Sequence, residues 1–293
     1  MNAFPSTFSI AAHDPVSGCW GVGVQSKFLA VGLVVPWARA GVGAIATQAH
    51  ANTSYGPRGL ELLASGLPAR AVLEKLTLED PDRHQRQLGV VDSTGGSASF
   101  TGKACYEWAG HLAGPHFACQ GNLLAGPAVV ENMATSFQQS QHVPLAERLI
   151  AALRAGQAGG GDKRGQQSAA LVVVKEKGGY GGYTDQLVNL RVDDHAAPIE
   201  ELARLYGLQQ LYFGQTRETV ALQGDALTSI QKMLKALGCY RGLAHGQLDA
   251  PTQQALDAFC NTENLEMRRQ GDPHQLDVEI LKFMENKVRP HPR

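Results

Sequence analysis

The chain has 293 residues, enough for about two domains at roughly 150 residues each, each with a core of its own. Twenty-six Lys and Arg balance 27 Asp and Glu, a net charge of −1 that removes the electrostatic footprint of a nucleic-acid binder or of a protein drawn to an anionic membrane. With 43% hydrophobic and 18% charged residues, the chain reads as an ordinary soluble globular protein rather than a disordered one.

Met1 to Ser6 lacks the basic start and apolar stretch of a secretory signal. Short runs of β-branched and small apolar residues then predict strands at Thr7 to Ala12 and Trp20 to Ser26. The apolar run Phe28 to Trp37, flanked by Lys27 and Arg39, is about half of what a bilayer-spanning helix needs. Further strands are predicted at Val42 to Gln48, Gln87 to Val91, Ala98 to Gly102, Phe117 to Gln120, Ala169 to Lys175 and Leu187 to Val192. Helical spacing marks Leu60 to Ala64 with Ala69 to Leu76, Val129 to Phe137 after Pro127, Leu145 to Leu153 after Pro144, and Ile199 to Tyr212 after Pro198. Strands and helices come in blocks, so antiparallel sheets packed with helices are expected over an alternating parallel sheet.

Of 33 glycines, 28 fall in residues 1–214, which sets a turn-rich first domain against a glycine-poor tail and places a short linker at Gln215 to Gly224. In the tail, Ile230, Met233, Leu234 and Leu237 share one helical face, Ala255, Leu256 and Phe259 a second, and Val278, Leu281, Phe283 and Met284 a third. This predicts a three-helix module over 225–290.

Several motifs fail. Gly41 to Ala46 fits the dinucleotide pattern GxGxxA, but Pro36 to Ala40 precedes it and no helix start follows. Gly156 to Lys163 has the glycines of a phosphate loop, yet Asp162 stands where its lysine must be. Ten dispersed histidines and five scattered cysteines with no CxxC pair leave no metal site and no disulfide framework, so a reducing cytoplasm and no cofactor are expected.

Polar residues stand where buried strands should stay apolar. Gln25, Ser26 and Lys27 end one strand, Thr47 and Gln48 another, and Gln120, Gly121 and Asn122 a third. Three such ends, each with glycine nearby, favour a polar pocket over three ordinary turns. A fourth element, Gly159 to Ser168, reads equally as a solvated loop or as an anion-holding one with Lys163, Arg164 and an orienting Asp162.

The runs Thr7 to Asp14, Gly21 to Phe28, Val34 to Ala44, Thr47 to Ala49, Ser54 to Gly59, Gln120 to Asn122, Gly161 to Gly165 and Arg191 to His195 resemble the family catalogued as domain of unknown function 1028, over residues 7 to about 214. That family looks like a branch of the N-terminal-nucleophile hydrolases. The resemblance implies an α+β fold, a four-layer αββα sandwich of two antiparallel sheets. It also implies a mechanism in which a Thr, Ser or Cys at the mature N-terminus attacks a carbonyl while its own α-amine takes the proton. Thr7 is the matching residue, and six residues precede it, so its nitrogen becomes a base only if the Ser6–Thr7 bond is cleaved or translation starts differently. Asn122 is then the first choice of oxyanion donor and Thr47 a second, while Ser26 and Lys27 orient the nucleophile or lower its pKa. Gln25, Gln48, Asn52, Tyr55, Gln120, Asp162, Lys163 and Arg164 are expected to bind substrate.

The tail is similar, more loosely, to the three-helix peptidoglycan-binding fold through Ile230-Gln231, Leu237 to Gly242, Leu248-Asp249, Thr252, Ala255 and Phe259. Without an export signal, a docking or dimer-supporting role is expected ahead of glycan binding. The expected function is a metal-independent amidohydrolase acting on a non-peptide C–N bond of a small metabolite. The alternatives are a non-catalytic binder with Thr7 blocked, or a cell-wall hydrolase directed by its tail.

Overall fold

The computed structural model describes residues 7–269 and 271–289. In chain order the elements are β1 (Thr7–Asp14), β2 (Cys19–Ser26), β3 (Pro36–Arg39), β4 (Gly43–Ala49), α1 (Tyr55–Ala64), α2 (Ala69–Leu78), β5 (Arg86–Asp92), β6 (Ser97–Thr101), β7 (Gly110–Gly114) and β8 (Phe117–Asn122). There follow α3 (Ala128–Gln139), α4 (Leu145–Ala158), β9 (Ser168–Val174), β10 (Gln186–Val192), α5 (Pro198–Phe213), β11 (Thr219–Ala221), α6 (Gly224–Ala236), α7 (Ala250–Thr262), β12 (Gln275–Asp277) and α8 (Val278–Val288). The chain divides into two units, up to Arg204 and from Leu205 on. Among the described residues, no helix is long and apolar enough to cross a membrane.

The first unit is mixed α and β with antiparallel sheets. Six strands lie in the order β10-β9-β2-β1-β8-β7, and four in the order β3-β4-β5-β6. Strand alternation explains how they pack. On β1, β2 and β8, the residues Ala11, Val22, Val24 and Ala118 turn toward Ala44, Ala46 and Val91 of the other sheet, forming an apolar layer between the sheets. The small side chains there let the sheets come close. Gly89 on β5 is required for the same reason, since a Cβ there would collide with the Gln120 amide. The larger residues Ile45, Leu88 and Val90 turn the other way, onto Tyr55, Leu63, Val72 and Leu76 of α1 and α2. On the far side of the six-stranded sheet, α3 and α4 pack against β1, β2 and β8.

Two strands of the first unit, β3 and β7, lie outside the expected set. β3, over part of the segment taken to break the GxGxxA pattern, pairs antiparallel with β4 as a hairpin whose turn includes Gly41 at φ +70°. An antiparallel hairpin with no following helix is not a dinucleotide fold. β7 pairs only with β8 and has mostly exposed residues, so it lacks the apolar pattern of a core strand.

The second unit buries Leu227, Ile230 and Leu234 of α6 against Leu256 and Phe259 of α7 and Ile280 and Met284 of α8. Asp249 caps α7 by accepting from the Thr252 amide at 2.9 Å, with Pro251 in the first turn where its missing N–H is no loss. Residues 219–221, inside the segment expected to be a linker, form β11 and pair with β12. That ladder is fastened by a buried ion pair from Arg268 to Asp277, whose carboxylate also accepts from Thr216 at 2.7 Å.

Candidate active site

The antiparallel registers bring three strand ends to one place. Thr7 stands opposite Ser26 on β2 and opposite Asn122 on β8. Its hydroxyl lies 3.1 Å from the Ser26 hydroxyl, and the residue is buried. From the facing sheet, Gln48 donates to the Thr7 carbonyl at 3.3 Å and to Gln87 Oε1 at 2.8 Å, while accepting from Ser9 Oγ at 2.6 Å. Asn122 Nδ2 donates to the same Gln87 oxygen at 3.1 Å, and Gln120 Nε2 donates to Ser9 Oγ at 2.7 Å. Buried amides of this kind are stable only when partnered, and each partner here fixes the next. The result is a polar, rigid end to the layer between the sheets.

Beside Thr7 is a cavity of about 360 Å³ lined also by Phe28, Val31, Val34, Val35, Gln48, Ala49, His50, Ala51, Thr53 and Arg86. Its apolar wall is the segment after β2, which is held from several sides. Ser168 Oγ donates to the Phe28 carbonyl at 2.5 Å and accepts from the Val31 amide at 3.1 Å, and the Val35 carbonyl accepts from the Thr47 amide at 3.1 Å. Gly32 sits so close to Ala170 and Arg191 that a side chain would have no room. Three non-glycine residues with left-handed backbone border the site: Ala30 at φ 54°, Ala49 at φ 65° and Leu123 at φ 55°. Each costs of order 1 kcal/mol or more, and such strain concentrates at functional positions.

Arg86, which lines the cavity, belongs to a charge cluster centred on the buried Asp80. Asp80 accepts from Arg86 Nε at 3.0 Å, Asn52 Nδ2 at 3.0 Å and Tyr55 Oη at 2.8 Å. Burial alone would raise its pKa, but these bonds and the Asp82 amide outweigh burial and hold the carboxyl well below its usual range. Tyr55 moves the opposite way, raised by burial and by donating to that carboxylate. Burial also pushes the thiols of Cys19, Cys105, Cys119 and Cys260 up, the last to about 12, which takes thiolate chemistry away from them at neutral pH. Among the described residues, no group of three or more His, Cys, Asp or Glu side chains is placed to hold a metal.

Of the residues expected at the site, the structure gathers Thr7, Ser26, Gln48, Gln120 and Asn122. The others are placed differently, for reasons of alternation or pairing. Gln25, one residue before Ser26, lies on the opposite face of β2 with Phe8, and its side-chain amide has no hydrogen-bond partner among the described residues. Thr47, one residue before Gln48, turns with Ile45 toward the helical side, where its hydroxyl donates to the Asn52 carbonyl at 3.2 Å. Asn52 and Tyr55 serve Asp80. Lys27 is tied to the 162–166 loop instead: its amide donates to Asp162 Oδ2 at 3.0 Å, its ammonium donates to the Gln166 carbonyl at 3.2 Å, and its own carbonyl accepts from Arg164 Nη2 at 3.2 Å. Asp162 is buried and paired with Arg164, and Lys163 Nζ donates to the Glu107 carbonyl at 3.2 Å, so this loop fastens itself to the end of β2. The bond between Ser6 and Thr7 lies at the edge of the described residues, with Ser6 outside them. Sequence reasoning missed Ser9, Gln87, His50, Arg86 and the Phe28–Val35 wall. Gln87, a polar residue at the start of an apolar strand, carried the same signal as Gln48.

A profile described as "Family of unknown function (DUF1028)" matches residues 7–202, and one described as "Putative peptidoglycan binding domain" matches residues 212–284. Among solved structures, protein SPO2555 from Silicibacter pomeroyi, a DUF1028 protein, is 30% identical, with a TM-score of 0.65 covering 71% of this chain and 91% of its own. Anbu, an ancestral β-subunit from Yersinia bercovieri, aligns at 11% identity over 72% of this chain and 98% of its own with a TM-score of 0.32, too low to bear on the fold. No protein of curated function matches the chain. A match spanning about two thirds of the sequence, joined to a solved relative with the same profile, gives the conclusion that this chain belongs to the DUF1028 family.

Proposed function

We propose that the first unit is an amide hydrolase of the N-terminal-nucleophile kind, its two sheets and flanking helices being that group's αββα sandwich, and that Thr7 is its nucleophile. The observation that carries this reading is the place of Thr7: a buried hydroxyl at the first residue of a strand, 3.1 Å from a second hydroxyl, on the wall of a cavity. With Ser6 removed, the Thr7 α-amine takes the proton from Oγ1 as that oxygen attacks the amide carbon. The C–N bond breaks, the leaving amine receives the proton, and the acyl group remains as a Thr7 ester. The leaving amine departs, and water, giving a proton to the Thr7 α-amine, attacks the ester carbon. The carboxylic acid departs and Oγ1 regains its hydrogen. Asn122, braced by Gln87, supports the oxyanion, and Ser26 orients the attacking hydroxyl. The substrate class is a non-peptide amide of a small metabolite, and five unpaired cysteines suit a reducing cytoplasm.

Intact-mass measurement combined with amidase assays tests this. Active protein should begin at Thr7 and lose turnover in Thr7→Ala. A chain that keeps residues 1–6 and still hydrolyses amides, or is unaffected by Thr7→Ala, refutes it; one that keeps them, binds amides and hydrolyses none is a binding protein on the same fold. The profile match over 212–284 favours a second reading, in which the second unit binds peptidoglycan, and co-sedimentation with isolated sacculi checks it directly.

A further inference from the structure

The cavity beside Thr7 has an asymmetric chemistry. One side, from Phe28, Val31, Val34, Val35, Ala49 and Ala51, is wholly apolar, and the same segment continues outward as the exposed Leu29 and Leu33. The ionisable residues lining it are Arg86 and His50, and no carboxylate is among the lining residues. Arg86 already has its charge matched by two carboxylates, Asp80 and Asp82. Its Nε donates to Asp80 at 3.0 Å, Nη1 to the His50 carbonyl at 2.9 Å and Nη2 to Asp82 at 3.4 Å, so each of its three nitrogens has an acceptor. Recruiting it for a substrate carboxylate would leave Asp80 buried without its cation, which is strongly unfavourable. The bases expected to hold a substrate's charged end, Lys27, Lys163 and Arg164, are not among the residues lining the cavity. An ammonium group fares no better, since Asp80 already accepts from Arg86, Asn52 and Tyr55. At about 360 Å³ the space is at the small end of ligand sites, which run from roughly 300 to 1,000 Å³.

We infer that the cavity beside Thr7 holds a small, uncharged aliphatic or aromatic group, so that the amide cleaved is a neutral apolar one rather than the amide of an amino acid or a dicarboxylic acid. This rests on the hydrolase reading above for the reaction, though not for the recognition. The walls exclude water from the apolar group, while Thr7 and Gln48 supply the polar end where the amide sits.

The test is calorimetric binding to the full-length Thr7→Ala chain, alongside turnover by the wild type. The probes are hexanamide and phenylacetamide, with the apolar group on the carbonyl side, N-benzylacetamide, with it on the nitrogen side, and the charged succinamate and glycinamide. The neutral apolar probes should bind about ten-fold or more tightly than either charged one, and whichever neutral type binds better assigns the side of the scissile bond that the cavity holds. Val34→Glu should weaken the neutral probes by a similar factor, with Phe28→Ala as a milder variant should the first not fold. Charged amides binding as well as neutral ones, or no probe binding, overturns the inference. Expected binding without wild-type turnover defeats the hydrolase reading alone, and turnover of charged amides in preference to neutral ones defeats this inference alone.

Discussion

A threonine hydroxyl titrates far above neutrality, so what surrounds Thr7 decides whether it reacts. In the proposed mechanism the base is an α-amine, which titrates near pH ~8 and is active only when unprotonated. The rate should therefore rise as pH increases through about 8 and level off above it, and kcat measured from pH 6 to 10 checks this. Removing an oxyanion donor costs about 3 kcal/mol of transition-state stabilisation, so Asn122→Ala should lower kcat by about 10²-fold or more with KM little changed, as read from steady-state kinetics. Asp80 belongs to stability rather than chemistry. Its folded-state pKa is depressed, so its contribution is present above the unfolded value near 3.9 and disappears as pH falls through the lower folded value. Asp80→Asn leaves Arg86 only the exposed carboxylate of Asp82 as a charge partner and should cost about 3 kcal/mol at pH 7, a deficit that narrows below pH ~4 in denaturant titrations.

At the scale of elements, the inter-sheet layer depends on residues that stay small. Gly89→Ala would drive the Gln120 amide from Ser9 and should destabilise the first unit by roughly 1–3 kcal/mol, seen as a lowered thermal midpoint. The long β-branched strands and the helices entered by proline were legible in the sequence because their period or their first turn is distinctive. β3 opens with proline and is four residues long, β7 is a Gly- and His-bearing edge, and β11 and β12 have three residues each, so none carries a readable period. At the site, the polar strand ends were readable but their faces were not. Adjacent strand residues point oppositely, so Gln25 and Ser26, or Thr47 and Gln48, cannot both face Thr7. Which one does is decided by neighbours two positions away: small Ala44 and Ala46 share a face with Gln48, while bulky Ile45 shares one with Thr47. Asp162 was expected to orient one of the neighbouring bases, and it pairs with Arg164; the loop's attachment to Lys27 at the end of β2 was beyond any such rule, because a loop's contacts follow from where its flanking elements end.

At the scale of the molecule, each unit has its own apolar core, and the 16-residue helix α5 runs across the boundary between them. A chain ended at Gly214 keeps that helix whole and retains every residue around Thr7. It should keep kcat/KM for amides within about two-fold, whereas two separate cores predict two thermal transitions in calorimetry of the full chain. Thr7 itself is laddered to Ser26 on one flank and Asn122 on the other. New chain ends ordinarily fray. An end created by excising the leader before Thr7 would be stitched on both sides from its first residue, so uncapping the amine need not loosen the hydroxyl it serves.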